Sequence, residues 1–303
     1  MMYIRSPLFQ IQIIVQLMLT FAFALIPMSI SLQAVLCGIM LCIVGIPHGA
    51  NDHLFRSDKS LVGSFYFIAI YVGAIFLFFA LWWKVPVVAF VLFFIISFHH
   101  FGQSNFENKT ATYLPSLFWG VWILVFPVLL HWEEAIQIFS EMLSYNKHSL
   151  PIPFPVQDTP LQINGSLLVI LMVASIYLIS LFYFERENFT YYLIQFVVVT
   201  LWYIFTPLLS GFIVVFCLWH SLQSLRHQAL YFKQSAQGTF LRFFKALLPF
   251  SAVALLSFGI YLYFRAFNIA EAFILLSLIT LPHVIMMHRL YGETYQYPGI
   301  ERG

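Results

Sequence analysis

Charged side chains are scarce, making up 9% of the 303 residues, where a soluble domain carries about 25%. That shortage excludes an ordinary water-soluble globular protein. The formal net charge is only +2, and the few basic residues sit in or near breaks between apolar runs, so no nucleic acid is expected as a partner. Cysteine is nearly absent. Cys37, Cys42 and Cys217 all fall inside apolar runs, which excludes a disulfide framework and reads as small packing residues. A cleavable leader is also missing from the pattern: Arg5 is followed by an apolar run over 9–28 without a small-x-small site, which reads as a retained first span. No internal repeat and no low-complexity tract is visible.

What is abundant is hydrophobic length. Apolar residues are 61% of the chain, and 35 residues are phenylalanine. A membrane helix needs roughly 20 apolar residues. Runs of that kind lie at 9–28, 32–50, 61–82, 86–103, 113–130, 161–184, 189–206, 208–231, 246–264 and 269–288. The expected fold is an all-α polytopic membrane protein of about ten spans (range eight to ten), as a single domain over 1–303. The longest interruption, 131–160, places Glu133, Glu134 and Glu141 among Ile136, Ile138, Phe139, Met142 and Leu143. That mixture predicts a short amphipathic helix on the membrane surface, and Pro151, Pro153 and Pro155 predict an extended stretch after it.

Lysine and arginine set the expected orientation. With the N-terminus in the cytoplasm and ten alternating spans, eleven of the 14 basic residues fall inside. The location expected is the cell membrane, with both termini cytoplasmic and 131–160 an extracytoplasmic loop. In that arrangement spans two, four, eight and ten run in one direction, and they are the spans that carry histidine. They read G-I-P-H-G-A-N-D-H (Gly45 to His53), F-H-H-F-G-Q-S-N (Phe98 to Asn105), L-W-H-S-L-Q-S (Leu218 to Ser224) and L-P-H-V-I-M-M-H (Leu281 to His288). Ionisable groups within a bilayer are expensive and face protein interiors, so each marks a site. Four such stretches at similar depth imply one shared centre, and imidazole is the commonest metal ligand.

The spacing sorts the histidines. Asp52 is four residues after His48 and shares its helical face, where it could accept from an imidazole. His53 lies about 140° around the same helix and reads as a border residue. His99 and His100 are neighbours, so at most one faces a common centre. Gln103 and Ser104 share the His100 face, which leaves His99 bonded to a carbonyl or at the interface. On span eight Ser224 follows His220 by one turn, while His227 is about 10.5 Å along the axis, out near Arg226. Pro282 before His283 can free a backbone carbonyl. His288, beside Arg289, reads as a boundary residue. His131 and His148 belong to the loop. Metal ligands are therefore sought among His48, His100, His220 and His283, with Asp52, Gln103 and Ser224 behind them. Two other readings stay open: a di-iron hydroxylase or desaturase, whose clustered H-x-x-x-H and H-x-x-H-H pairs are missing, and a non-enzymatic haem-binding or transport protein.

Pro47-His48-Gly49-Ala50 with Asp52, His100-Phe101-Gly102, His220-Ser221 and Pro282-His283 together resemble the Brp/Blh family of membrane β-carotene 15,15′-dioxygenases, in order and approximate spacing across 45–288. The resemblance implies a non-haem Fe(II) centre with His48, His100 and His220 as ligands. It implies dioxygen and an apolar carotenoid drawn from membrane lipid as reactants, retinal as product, and a rhodopsin as downstream partner. Better-known members carry a further histidine four residues after the third motif's first, where this chain has Ser224. Either three ligands with open positions serve here, or His283 completes a set of four.

Overall fold

The computed structural model describes residues 6–56, 58–106, 112–144, 160–235, 239–264 and 268–294. Among them the chain is helical, without strands: α1 (Pro7–Leu25), α2 (Ile30–Met40), α3 (Ile46–Gly49), α4 (Leu61–Lys84), α5 (Pro86–Phe106), α6 (Leu114–Leu130), α7 (Trp132–Leu143), α8 (Pro160–Phe184), α9 (Phe189–Phe205), α10 (Leu208–Val215), α11 (Leu222–Ser235), α12 (Phe240–Phe264) and α13 (Ile269–Thr294). Nine helices or continuous helical runs among the described residues are long and apolar enough to cross a membrane, and a tenth appears if the bent pair α6–α7 counts as one. The multi-pass architecture read from the hydrophobic runs is thus present. Helix starts follow the local chemistry: Ser6, Ser29 and Ser60 each accept a backbone N–H of the first turn through their hydroxyl oxygens, as N-caps do.

The surface is that of a protein in lipid. Ile30 is 86% and Leu61 90% exposed, and the long helices α4 and α12 bury little of their length. Polar side chains turn inward instead. Trp82 Nε1 donates to Ser277 Oγ at 2.8 Å, and Asn105 and Gln195 exchange reciprocal amide bonds at 3.1 and 2.7 Å. With no hydrophobic drive between helices in lipid, small residues and such bonds hold a bundle together. The α5–α6 crossing shows the first device: a Cβ on Gly102 would strike the Ser116 carbonyl, and one on Gly120 the Phe98 carbonyl.

Two departures from regular helix matter for function. The second span is α2, a π turn (Leu41–Gly45), α3 and a 3-10 turn (Asp52–Phe55), and the eighth is α10, a π turn (Phe216–Ser221) and α11. The helix read into the 131–160 interruption is present as α7, set at 105° to α6. Its apolar face meets protein: Ala135, Ile138 and Met142 are buried in a cluster with Phe93 of α5 and Ile274 of α13. His148 and the prolines after it lie outside the described residues.

Candidate metal centre

His48 follows the first π turn, and His220 sits inside the second. An inserted residue in a helix re-aims the side chains around it, which is why π turns gather at functional sites. Gly45 lets the two segments approach, since a Cβ there would lie 2.9 Å from Leu41 and 3.1 Å from Phe216. His100 comes from α5 and His283 from α13. All four histidines are at most 4% exposed.

The four rings form a closed square. Centroids are 5.0 Å apart for His48–His220, 4.6 Å for His220–His100, 4.9 Å for His100–His283 and 4.8 Å for His283–His48, each pair steeply inclined. Phe101 and Phe216 stack on His220 at 4.4 and 5.5 Å and hold its plane.

Hydrogen bonds fix which nitrogen faces inward. His48 Nδ1 is 3.0 Å from the Gly45 carbonyl, which can only accept. His283 Nδ1 is 2.8 and 3.0 Å from the two carboxylate oxygens of Asp52. His220 Nδ1 is 2.9 Å from Ser104 Oγ, whose own proton goes to the Phe101 carbonyl at 3.0 Å. The proton of each of these rings is therefore on Nδ1, and the lone pair is on Nε2. The Nε2 atoms of His48, His220 and His283, and both ring nitrogens of His100, are buried with no hydrogen-bond partner among the described residues. Leaving a buried polar atom unpaired costs about 1–3 kcal/mol, so a cluster of buried imidazole nitrogens without partners points to a cation. Ligand atoms of His48, His100 and His220 lie within 4.8 Å of one another, a group that could hold a metal ion.

The supporting residues are partly those expected from sequence and partly others. Asp52 does meet an imidazole, but that of His283 rather than its sequence neighbour His48, because the chain leaves α-helix at Ala50 and the shared face is lost. Tyr71 of α4, which no motif marked, donates to the other side of Asp52 at 3.0 Å. Ser104 of α5 serves His220, a ring carried by a different helix. Gln103 points away and donates to His288 Nδ1 at 3.2 Å, while His99 lies 5.7 Å from His288. Ser224 is fully buried and accepts from Gln228 Nε2 at 3.4 Å, and the same amide reaches the His48 carbonyl at 3.0 Å. His227 packs on Tyr291, 5.5 Å away. His53 stacks on Phe250 at 3.6 Å, and His131 bonds the Tyr203 carbonyl at 3.3 Å.

The square opens onto a cavity of about 590 Å³, within the ordinary range for small-molecule sites. Its walls are almost entirely apolar, with Phe94, Phe212 and Phe273 on one side and Phe67, Ile68 and Phe250 on another.

Residues 39–291 match the family described as beta-carotene 15,15′-dioxygenase. A protein of that name from Uncultured marine bacterium 66A03 is 24% identical over 279 residues, which cover 84% of this chain and 93% of that relative. No solved structure matches.

Proposed function

The chain belongs to the beta-carotene 15,15′-dioxygenase family, and from that premise we propose that it cleaves a carotenoid oxidatively, β-carotene at its central double bond, to give two retinals. The observation that carries the proposal is a square of four buried imidazole rings, each with a nitrogen that has no partner among the described residues, set in the wall of an apolar cavity. His48, His100, His220 and His283 would hold iron(II) through Nε2. The donor set suits it, since imidazole takes first-row metals well and no thiolate competes. Bound there, iron(II) supplies the capacity to bind and activate dioxygen.

The protein's own part is binding, orientation and exclusion. The Gly45 carbonyl, Ser104 and Asp52 each hold a ring by Nδ1, so the nitrogens that face the centre keep their direction. Asp52, 3% exposed, places one negative charge behind His283 and offsets part of a cation's charge. The phenylalanine walls accept a polyene from the bilayer and keep water from the double bond. Overall, dioxygen and one carbon–carbon double bond become two carbonyl groups, so both oxygen atoms end in products. No acid or base is required, and among the described residues the carboxylate nearest the centre, Asp52, already serves His283 and Tyr71. A di-iron hydroxylase would require carboxylates that bridge two irons, whereas the metal-capable group among the described residues consists of three histidines.

The test is expression in a β-carotene-producing cell, with extraction and chromatography of the polyenes. Retinal is expected to appear as β-carotene falls, and purified protein is expected to carry about one iron per chain without a haem absorption band. Undiminished β-carotene beside a fully metal-loaded protein would refute the assignment.

A further inference from the structure

The residues that line the cavity fall into two unlike groups by helix, which read as two arms. One follows α5, α10 and α13 back from the histidines toward the N-terminal ends of those helices. Its lining runs from His100 to Phe93 on α5 and from His283 to Phe273 on α13, a depth of about 10–15 Å at the helical rise. Ile138, Phe139 and Met142 of α7 also line the cavity, and α7 packs against α5 and α13. Ile138 is 8% and Met142 1% exposed, and the Phe139 ring meets Phe90 at 4.9 Å and Phe94 at 5.8 Å. α7 is tied at both ends: Glu134 accepts the Leu208 N–H at 3.3 Å, and Glu141 accepts from Asn268 at 3.4 Å. The other arm passes between α4 and α12, where the lining residues Ile68, Phe250 and Val253 are also 58, 47 and 62% exposed. That wall opens to the surface which lipid covers.

We infer that the arm closed by α7 is a ruler, and that its length decides which double bond of the polyene lies at the histidines. This rests on the carotenoid-cleaving reading above. A polyene is a stiff rod. Entering between α4 and α12, it slides past the histidines until its leading end meets Ile138 and Met142, and the distance from that stop to the centre selects the bond. The trailing end stays in the open arm.

The test measures the masses of both aldehydes formed by variants of metal-loaded protein given β-carotene. Val128→Phe fills the closed arm, and the fragment from that arm is expected to shorten while its partner lengthens, the two still summing to the whole chain plus two oxygens. Ile138→Ala and Met142→Ala extend the arm, and the opposite shift is expected. The ratio of off-centre to central products should rise roughly tenfold, the discrimination that a single misfit side chain supports. Val253→Phe, at the open arm, should slow cleavage without moving the bond. Metal content and polyene retained through purification report folding, and should Val128→Phe fail them, the two alanine variants carry the test. Unchanged product lengths in variants that still cleave would overturn the ruler while leaving the proposed function intact. A wild-type protein that cleaves no polyene would instead remove the reading on which the ruler rests.

Discussion

Asp52→Asn is the sharpest perturbation of the centre, because it changes one atom and leaves shape alone. The carboxylate now serves two donors with two oxygens, taking His283 Nδ1–H at 2.8 Å and the Tyr71 hydroxyl at 3.0 Å. An amide turns one of those acceptors into a donor, so one buried N–H or O–H loses its partner. That loss costs about 1–3 kcal/mol and should appear in the metal-free protein as a lower unfolding temperature. The second effect falls on the metal. Removing the group that orients a ligating imidazole typically costs 10–100-fold in affinity, which is about 1.4–2.8 kcal/mol. Purified metal-free protein titrated with Co(II) against a competing chelator gives that affinity directly. Tyr71→Phe is the control, since it removes a donor and keeps the carboxylate on His283. It should cost about 1 kcal/mol of stability and move metal affinity much less than Asp52→Asn does. If Asp52→Asn binds cobalt as tightly as wild type, the carboxylate does not support a ligand, and the role assigned to it is wrong.

His48→Ala, His100→Ala and His220→Ala should each abolish retinal formation and deplete iron while the protein still inserts in the membrane, and a variant that keeps both activity and iron removes its residue from the ligand set. Single cysteines at Gln237 and Asn146 should be labelled from the cytoplasmic and the external side of cells respectively, and the reverse pattern would invert the proposed orientation. Gly102→Val should destabilise the protein by several kcal/mol, because its side chain must enter the Ser116 backbone and packed interiors do not yield to overpacking. Thermal unfolding in detergent measures it, and a wild-type midpoint would mean that the α5–α6 crossing can open without cost.

Much of this architecture is legible in the sequence because membranes simplify the code. Apolar length reports the spans, and histidine in a span is so costly that four of them announce a centre. What stays hidden are features that depend on neighbours distant in sequence. Nothing local in L-C-I-V-G or F-C-L-W-H-S spells a π turn, for the inserted residue is tolerated only where the two segments pack across Gly45. The pairing of Asp52 with His283 spans 231 residues; the sequence offers Asp52 as an acceptor for an imidazole, and the face it would share with His48 is lost where the chain leaves α-helix at Ala50. Ser104 was visible on the His100 face, but its acceptor lone pair serves a ring from another helix. Tyr71 gave only the faint signal of a hydroxyl in an otherwise apolar span.

The fourth imidazole is where this chain departs from the motif that the resemblance implies. At position 224 it has a serine, which accepts from Gln228 and so helps tie α11 to the His48 backbone. A hydroxyl is a poor iron(II) ligand beside imidazole, and this one already has work as an acceptor. His283 has the attributes of a ligand: a ring 4.8 and 4.9 Å from those of His48 and His100, a proton held on Nδ1 by a carboxylate, and a buried Nε2 without a partner. His283→Ala is therefore expected to lose iron, Ser224→Ala to keep it, and His227→Ala, on Tyr291 and away from the square, to be nearly silent. Ser224→His alone should leave the metal content unchanged, because the place it could fill is taken. Combined with His283→Ala it should recover part of the lost iron, if the helix after the second π turn can aim a ring inward. Elemental analysis of the five purified proteins decides the matter. Full iron in His283→Ala would show that three histidines suffice and that His283 only braces the centre through Asp52.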